Sequence, residues 1–141
     1  MSIARIQNFI TGDYLPLTHS EIQKISEKAS EIARASSGRI HLHLEKNASL
    51  RVLDRASEIF EMLFLGEKEE TPYVLIYVCK NNRQFALVCG PSLDHLLPPN
   101  AWTETIENMT IYFKNGDIGK AIMEGMESAE KVLTSKFPIN I

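Results

Sequence analysis

The most apolar stretch of the chain lies at its centre and has the pattern of two paired strands. Tyr73–Cys79 is apolar almost throughout, and Arg83–Cys89 is a second, mostly apolar run. Between them, Asn81-Asn82 suits a two-residue hairpin loop, because asparagine tolerates the left-handed backbone that such a loop requires. The pattern therefore predicts a β-hairpin.

The register of this hairpin follows if Lys80 pairs with Arg83. One face then carries Val74, Ile76, Val78, Phe85, Leu87 and Cys89. The other face carries Tyr73, Leu75, Tyr77, Cys79, Gln84, Ala86 and Val88. Both faces are largely apolar, so both must be covered, and helices above and below the sheet are the expected cover. The predicted fold class is α/β, a three-layer α/β/α sandwich around a small mixed sheet.

Apolar residues recur at helical spacing on both sides of the hairpin. Thr18, followed by Glu21, opens the first predicted helix with the spacing of a capping box. In the last helix, Ala121, Gly125 and Ala129 form a stripe of small residues, which lets a neighbouring element approach closely. The predicted helices run from Thr18 to Ser36, from Leu50 to Leu65, from Pro99 to Asn115 and from Asp117 to Pro138.

The helix Leu50–Leu65 also carries two pairs of opposite charge. Arg51 with Asp54, and Arg55 with Glu58, are spaced three residues apart. Such pairs are neighbours on a helix surface and stabilise it by a few tenths of a kcal/mol. We expect both pairs on the solvated side of the helix.

Arg39–Glu45 alternates apolar and polar residues, which predicts a strand with one apolar face. The strand–helix–strand order from this segment to Tyr73–Cys79 predicts a right-handed crossover and a parallel pair. His41 and His43 share the polar face. They fit the polar side of a half-exposed or edge strand, or they are two ligands of a zinc ion for which no third histidine or thiol is placed to complete the site.

Length and charge restrict the class of protein. A chain of 141 residues with 44% hydrophobic residues predicts one domain, 18–138, preceded by a lead-in, 1–17, made of a short helix and a loop. The net charge is −3 and no block of Lys and Arg is present, so we expect no nucleic-acid partner. The longest apolar run is far shorter than a membrane span, so we expect no direct membrane insertion.

The two cysteines point to a reducing compartment. In the predicted register Cys89 lies opposite Val74, which is roughly 16 Å along the strand from Cys79 and too far for a disulfide. The first residues also lack the apolar core of an export signal. Two reduced thiols and no export signal predict a cytoplasmic location.

Several short motifs occur in a defined order from about Thr18 to Pro138. They are Ser37-Gly38 before Ile40–Glu45, Leu53-Asp54-Arg55-Ala56 with Phe60, Val74–Val78, Pro98 with Trp102, Phe113-Lys114-Asn115-Gly116-Asp117, Gly125 and Phe137-Pro138. In their joint order and spacing they resemble the TPM domain family. The resemblance implies an α/β/α sandwich, and this chain is similar to the short, free-standing members that lack an export signal and a membrane helix.

The resemblance also implies a range of functions. Some plant relatives are described as acid phosphatases, some members bind calcium or other divalent ions, and others act as accessory proteins of membrane complexes. The sequence shows no phosphate-binding glycine loop, nucleophile elbow or Cys–His pair, so no catalytic residue is assigned. We therefore expect a binding or accessory module with a protein partner, such as a membrane-associated complex. The alternative is a weak, metal-assisted acid phosphatase.

Acidic residues gather where three loops are expected to meet. Because the first two strands are parallel and the third returns, Ser36–Gly38, Glu67–Pro72 and Gly90–Pro98 fall at one edge of the sheet. The candidate site residues at this edge are Glu67, Glu69, Glu70, Asp94 and His95. Carboxylates from separate loops suit a hard cation, Ca²⁺ or Mg²⁺, and His95 is the candidate acid or base of the phosphatase alternative. The other interpretation is a solvated acidic loop that keeps the protein soluble.

Overall fold

A computed structural model of the protein describes residues 2–4, 17–47, 51–65, 70–81 and 84–139. The described strands and helices alternate as far as β3, which is followed by β4 and then by three consecutive helices. In chain order they are β1 Ser2–Ala4, α1 His19–Ala35, β2 Arg39–Glu45, α2 Val52–Phe64, β3 Tyr73–Cys79, β4 Gln84–Cys89, α3 Pro91–Asp94, α4 Thr103–Lys114 and α5 Ile118–Lys136.

The strands form one mixed sheet in the order β1-β4-β3-β2. β2 runs parallel to β3 with Ile40 opposite Val74, which confirms the predicted parallel pair, and β3 runs antiparallel to β4. The predicted lead-in helix is wrong for Ser2–Ala4, because these residues form a strand antiparallel to β4. Residues 5–16, where the rest of the lead-in lies, are outside the described part of the chain.

The predicted hairpin register is confirmed. Val78 lies opposite Phe85 and Val74 lies opposite Cys89. Cys79 and Cys89 are both buried and reduced, as the register requires. Of the predicted turn only Asn81 lies within the described residues, so the turn type stays a prediction.

Helices cover both faces of the sheet, which confirms the predicted sandwich. One face, called the one-helix face, packs Tyr73, Leu75 and Tyr77 against α2. The other, called the three-helix face, packs Val74 and Ile76, among others, against α1, α4 and α5. Every residue of β3 is buried, because this central strand has helices above and below it.

The start of α1 agrees with the prediction from the sequence, whereas α4 begins later than predicted. The capping box is present: Glu21 N–H donates to Thr18 Oγ1 over 3.1 Å, and Thr18 N–H donates to Glu21 Oε1 over 2.9 Å. The helix predicted from Pro99 begins only at Thr103, because tight turns precede it, with Ala101 N–H donating to Pro98 O over 3.1 Å. The loop predicted at residues 90–98 contains the short helix α3.

The small-residue stripe of α5 lies against the sheet and α4. Ala121, Gly125 and Ala129 are all buried, which confirms the predicted packing role. A Cβ atom added to Gly125 would lie 2.9 Å from Met109 Cε and 3.1 Å from Ile76 Cδ1. The absence of a side chain at this position therefore allows the close approach of α5 to α4 and β3.

Candidate functional site

Three loops meet at one edge of the sheet, as the strand directions predict; we call this the loop edge. Arg39 N–H donates to Pro72 O over 2.9 Å, so the loop before β2 is joined to the loop before β3. Gly90 N–H donates to Tyr73 O over 2.9 Å, so the segment after β4 is joined to the same place. These backbone bonds bring residues distant in sequence to a common edge.

The structure places only some of the predicted site residues at the loop edge. Glu70 and His95 are exposed, and Asp94, the last residue of α3, is partly buried. Glu67 and Glu69 lie outside the described residues. Among the residues that the structure describes, no three His, Cys, Asp or Glu side chains are grouped so that they could hold a metal ion. The cation site therefore stays a prediction.

The negative charge of Asp94 affects the pKa of Cys89, the last residue of β4. Burial raises the pKa of the Cys89 thiol to about 12, and the negative charge of Asp94 adds to this shift, whereas a hydrogen bond with Trp102 opposes it. A thiol with so high a pKa stays protonated at neutral pH. Cys89 is therefore a buried residue of the core without the thiolate character of a cysteine nucleophile.

A second cluster of ionisable side chains lies on the one-helix face, around Glu45 at the end of β2. Arg55 Nε donates to Glu45 Oε1 and Oε2 over 3.0 Å each, and Arg55 Nη2 bonds the same carboxylate. Tyr77 Oη donates to Glu45 Oε2 over 2.6 Å. We call these three residues, together with His43, the Glu45 network.

The Glu45 network fixes the charge states of its members. Burial acts to raise the pKa of Glu45, but hydrogen bonds from Arg55, Tyr77 and His43 outweigh it and hold this pKa at about 2. Burial and the bond to Glu45 raise the pKa of Tyr77. The bonds to Glu45 also raise the pKa of Arg55. The carboxylate stays charged, and Arg55 and Tyr77 keep their protons, so Glu45 and Arg55 join α2 to the sheet as a fixed ion pair.

This network corrects the predicted role of Arg55. The spacing predicts a pair with Glu58 on the solvated side of the helix, and that bond is present. However, only 24% of the Arg55 side chain is exposed, because its guanidinium also reaches Glu45 on the neighbouring strand. Arg51, in contrast, is 87% exposed and pairs with Asp54 as predicted. The alternation of Arg39–Glu45 places Glu45 beside His43, which is the one sequence signal for this cluster.

The two histidines share one face of the edge strand β2, as the alternation predicts. Burial lowers the pKa of His41, and the charge of His43 lowers it further. Burial also lowers the pKa of His43, against the opposing effect of its contact with Glu45, 3.3 Å away. The imidazole of His43 also stacks on Tyr77, with ring centroids 5.9 Å apart. Since Arg55 and Tyr77 occupy the Glu45 carboxylate, Glu45 is engaged in structural bonds, and the choice between a structural and a zinc-binding role for the two histidines stays a prediction.

The fold and its edges define the class of protein: a small α/β/α sandwich around a mixed sheet, with convergent loops at one end. A family model described as TPM domain matches residues 15–132. The chain therefore belongs to the TPM domain family.

A solved structure supports this assignment. The chain is similar to the BA42 protein from the psychrophilic bacterium Bizionia argentinensis, whose structure was determined by NMR, with 27% sequence identity and a TM-score of 0.81. The match covers 89% of this chain and 87% of that protein. No curated protein matches the chain. In the described part of the chain, no helix is both long enough and apolar enough to cross a membrane.

Proposed function

We propose that this TPM domain is a binding or accessory module and that the loop edge is its contact surface. The observation that carries the proposal is the convergence of three loops through the bonds Arg39 N–H to Pro72 O and Gly90 N–H to Tyr73 O. Loops held by a rigid scaffold are where binding residues are most often found. In contrast, the Glu45 network is committed to structural bonds, so it offers no unoccupied carboxylate for chemistry.

Exposed apolar side chains next to the loop edge support a protein partner. α2 ends just before this edge, and there Met62 is 65% exposed and Leu65 is 85% exposed. Apolar side chains beside exposed charges are the usual composition of a contact patch. The proposed partner is a protein, such as a component of a membrane-associated complex, and the proposed location is the cytoplasm.

The loop edge is also the proposed site of a divalent cation. Glu70 and Asp94 contribute carboxylates there, and Glu67 and Glu69 precede Glu70 in the same loop. Ca²⁺ and Mg²⁺ bind carboxylate and carbonyl oxygens, and sites with few charged ligands bind calcium at the millimolar end of the range. We therefore expect weak binding.

Thermal denaturation in calcium tests this cation site. A ligand that binds only the folded state stabilises it by mass action, so the melting temperature should rise over about 1–10 mM CaCl₂. Asp94→Asn should reduce the rise, whereas Asp54→Asn, on the exposed side of α2, should leave it unchanged. NaCl at equal ionic strength is the salt control. A melting temperature that does not change with calcium, or that responds to zinc and loses this response in His43→Ala, would contradict the proposed edge.

The alternative function is a metal-assisted phosphatase. The matching family model carries the word phosphatase in its name, and His95 follows Asp94 directly at the loop edge. Turnover of p-nitrophenyl phosphate with and without Ca²⁺ or Mg²⁺ separates the two functions. The module predicts no turnover above the protein-free rate. Metal-dependent turnover that is lost in both Asp94→Asn and His95→Gln would establish the enzyme instead.

A further inference from the structure

A groove of about 700 Å³ opens at the edge of the sheet opposite the loop edge. One wall is the end of the β3–β4 hairpin, and the other is the turn that joins α4 to α5. Its volume lies within the range of small-molecule sites in proteins. None of the predicted site residues lines it, so it is a separate feature of the fold.

The floor of the groove is aromatic. Phe85 of β4 and Phe113 of α4 contact each other with ring centroids 4.7 Å apart and planes inclined at 35°. Val78 and Ile118 extend this apolar surface on either side. Such a floor favours an apolar ring or chain, because contact with it removes apolar surface from water.

The wall at the turn carries no side chain at Gly116. This glycine has φ of +77°, a left-handed conformation that favours glycine, and it ends α4. A Cβ atom added there would meet no heavy atom within 4 Å. The glycine is therefore required by the left-handed backbone of the turn and not by a close contact.

The hairpin wall is held in place before any ligand binds. Lys80 N–H donates to Glu45 O and Asn81 N–H donates to Lys46 O, each over 2.9 Å. The side-chain amide of Asn81 also donates to Asn47 Oδ1 over 2.7 Å. A wall that is already ordered loses little conformational freedom on binding, which favours affinity.

The charge of the groove is opposite to that of the whole chain. Its described lining residues include Lys80 and Lys114 and no Asp or Glu, although the net charge of the chain is −3. The exposed Lys114 beside an apolar floor is complementary to a molecule with an anionic head and an apolar body.

We propose that the groove between the β3–β4 hairpin and the α4–α5 turn binds a small amphiphilic anion, with its apolar body on Phe85 and Phe113 and its anionic group near Lys114. The ligand class is a free carboxylate with an aliphatic chain or aromatic ring. This site is independent of the loop edge and of any cation bound there.

Titration of the ¹⁵N-labelled protein with sodium decanoate, followed by amide chemical shifts, tests the proposal. We expect the largest shifts at Lys80, Gln84, Thr110, Lys114 and Gly116. Decyltrimethylammonium has the same chain and the opposite charge, so it should bind at least about fivefold more weakly. Equal binding of the two amphiphiles, or decanoate shifts centred on Met62 and Leu65, would overturn the proposed site.

A matched pair of variants tests the role of charge. Lys114 and Lys136 are both exposed lysines in the last turn of a helix, but only Lys114 lines the groove. Lys114→Glu should weaken decanoate binding about fivefold, and Lys136→Glu should leave it unchanged. Lys114→Gln should weaken binding in the same direction and serves if Lys114→Glu unfolds. Equal effects of the substitutions at 114 and 136 would show that only the overall charge matters and would overturn the site.

Discussion

The two faces of the sheet bury the same strands but are held by different interactions. On the three-helix face, contact depends on shape: Gly125 lets α5 approach Met109 and Ile76 closely. On the one-helix face, α2 packs on apolar residues and is also joined to the sheet by the ion pair between Arg55 and Glu45. Three helices restrain one another sterically, whereas a single helix has fewer neighbours and is positioned in part by directional bonds.

This difference predicts which substitutions each face tolerates. Substitutions that add side-chain volume should lower the free energy of unfolding most on the three-helix face, where the helices are already closely packed. Lost polar contacts should be most costly on the one-helix face, where a charged group would be left without its partner. Three experiments test this comparison, and their expected effects decrease in the order given.

The largest expected effect is that of Gly125→Leu. A Cβ atom alone would lie 2.9 Å from Met109 Cε and Sδ and 3.1 Å from Ile76 Cδ1, so a full isobutyl group must displace these side chains or α5. We expect the free energy of unfolding to fall by about 2–3 kcal/mol, as overpacking of a core does. Urea denaturation measures this change. Glu127→Leu, at an exposed position of α5, is the control and should change stability by less than about 0.5 kcal/mol. An unchanged midpoint for Gly125→Leu would show that α5 is free to move.

Removal of the ion pair on the one-helix face should have the next largest effect. Arg55→Met keeps the aliphatic part of the side chain but leaves the Glu45 carboxylate without its main partner. We expect a loss of about 2 kcal/mol, the scale of hydrogen bonds to a charged group. Arg51→Met is the matched control, because the Arg51–Asp54 pair is exposed and screened by water, so its loss should change the free energy of unfolding much less. Equal losses in the two variants would mean that the Glu45 network does not hold α2 to the sheet.

The pH dependence of stability should show the smallest effect. The pKa of Glu45 is held at about 2, against an ordinary value of 4.5. A carboxylate whose pKa is lower in the folded state contributes its full stability above pH 4.5 and loses it as the pH falls toward 2. The difference in stability between the wild type and Glu45→Gln should therefore be about 1 kcal/mol at pH 7 and shrink below pH 4.5. A constant difference between pH 7 and pH 3 would contradict the assigned charge state.

Some features of the fold were predictable because neighbouring residues determine them. The register of Val78 with Phe85 follows from the side-chain alternation of two strands joined by a short turn. The capping box of Thr18 and Glu21 is a contact within one helical turn. The parallel pairing of β2 and β3 follows from the short helical connection between them. In each case the interacting groups are close in sequence or joined by a single connection.

The candidate loop edge was predictable only in part. Strand directions indicate that the loops meet there, and the bonds at Pro72 and Tyr73 bear this out. The strand directions do not indicate how far apart Glu70 and Asp94 lie, because loop side chains follow no periodic pattern. The cation site and the protein partner therefore stay proposals, and calcium titration is the direct test of the first.

The sequence by itself determined the sandwich, the hairpin register and the burial of Ala121, Gly125 and Ala129, because hydrophobic periodicity decides which side of each element leaves water. Only the tertiary structure decided the remaining contacts. Ser2–Ala4 forms a strand because β4 offers an unpaired edge, not because three residues have a strand pattern. Likewise, Arg55 reaches Glu45 as well as its helical neighbour because α2 packs on the sheet face where Glu45 and Tyr77 meet. Contacts between separate elements depend on how those elements dock, and no local pattern along the chain records that geometry.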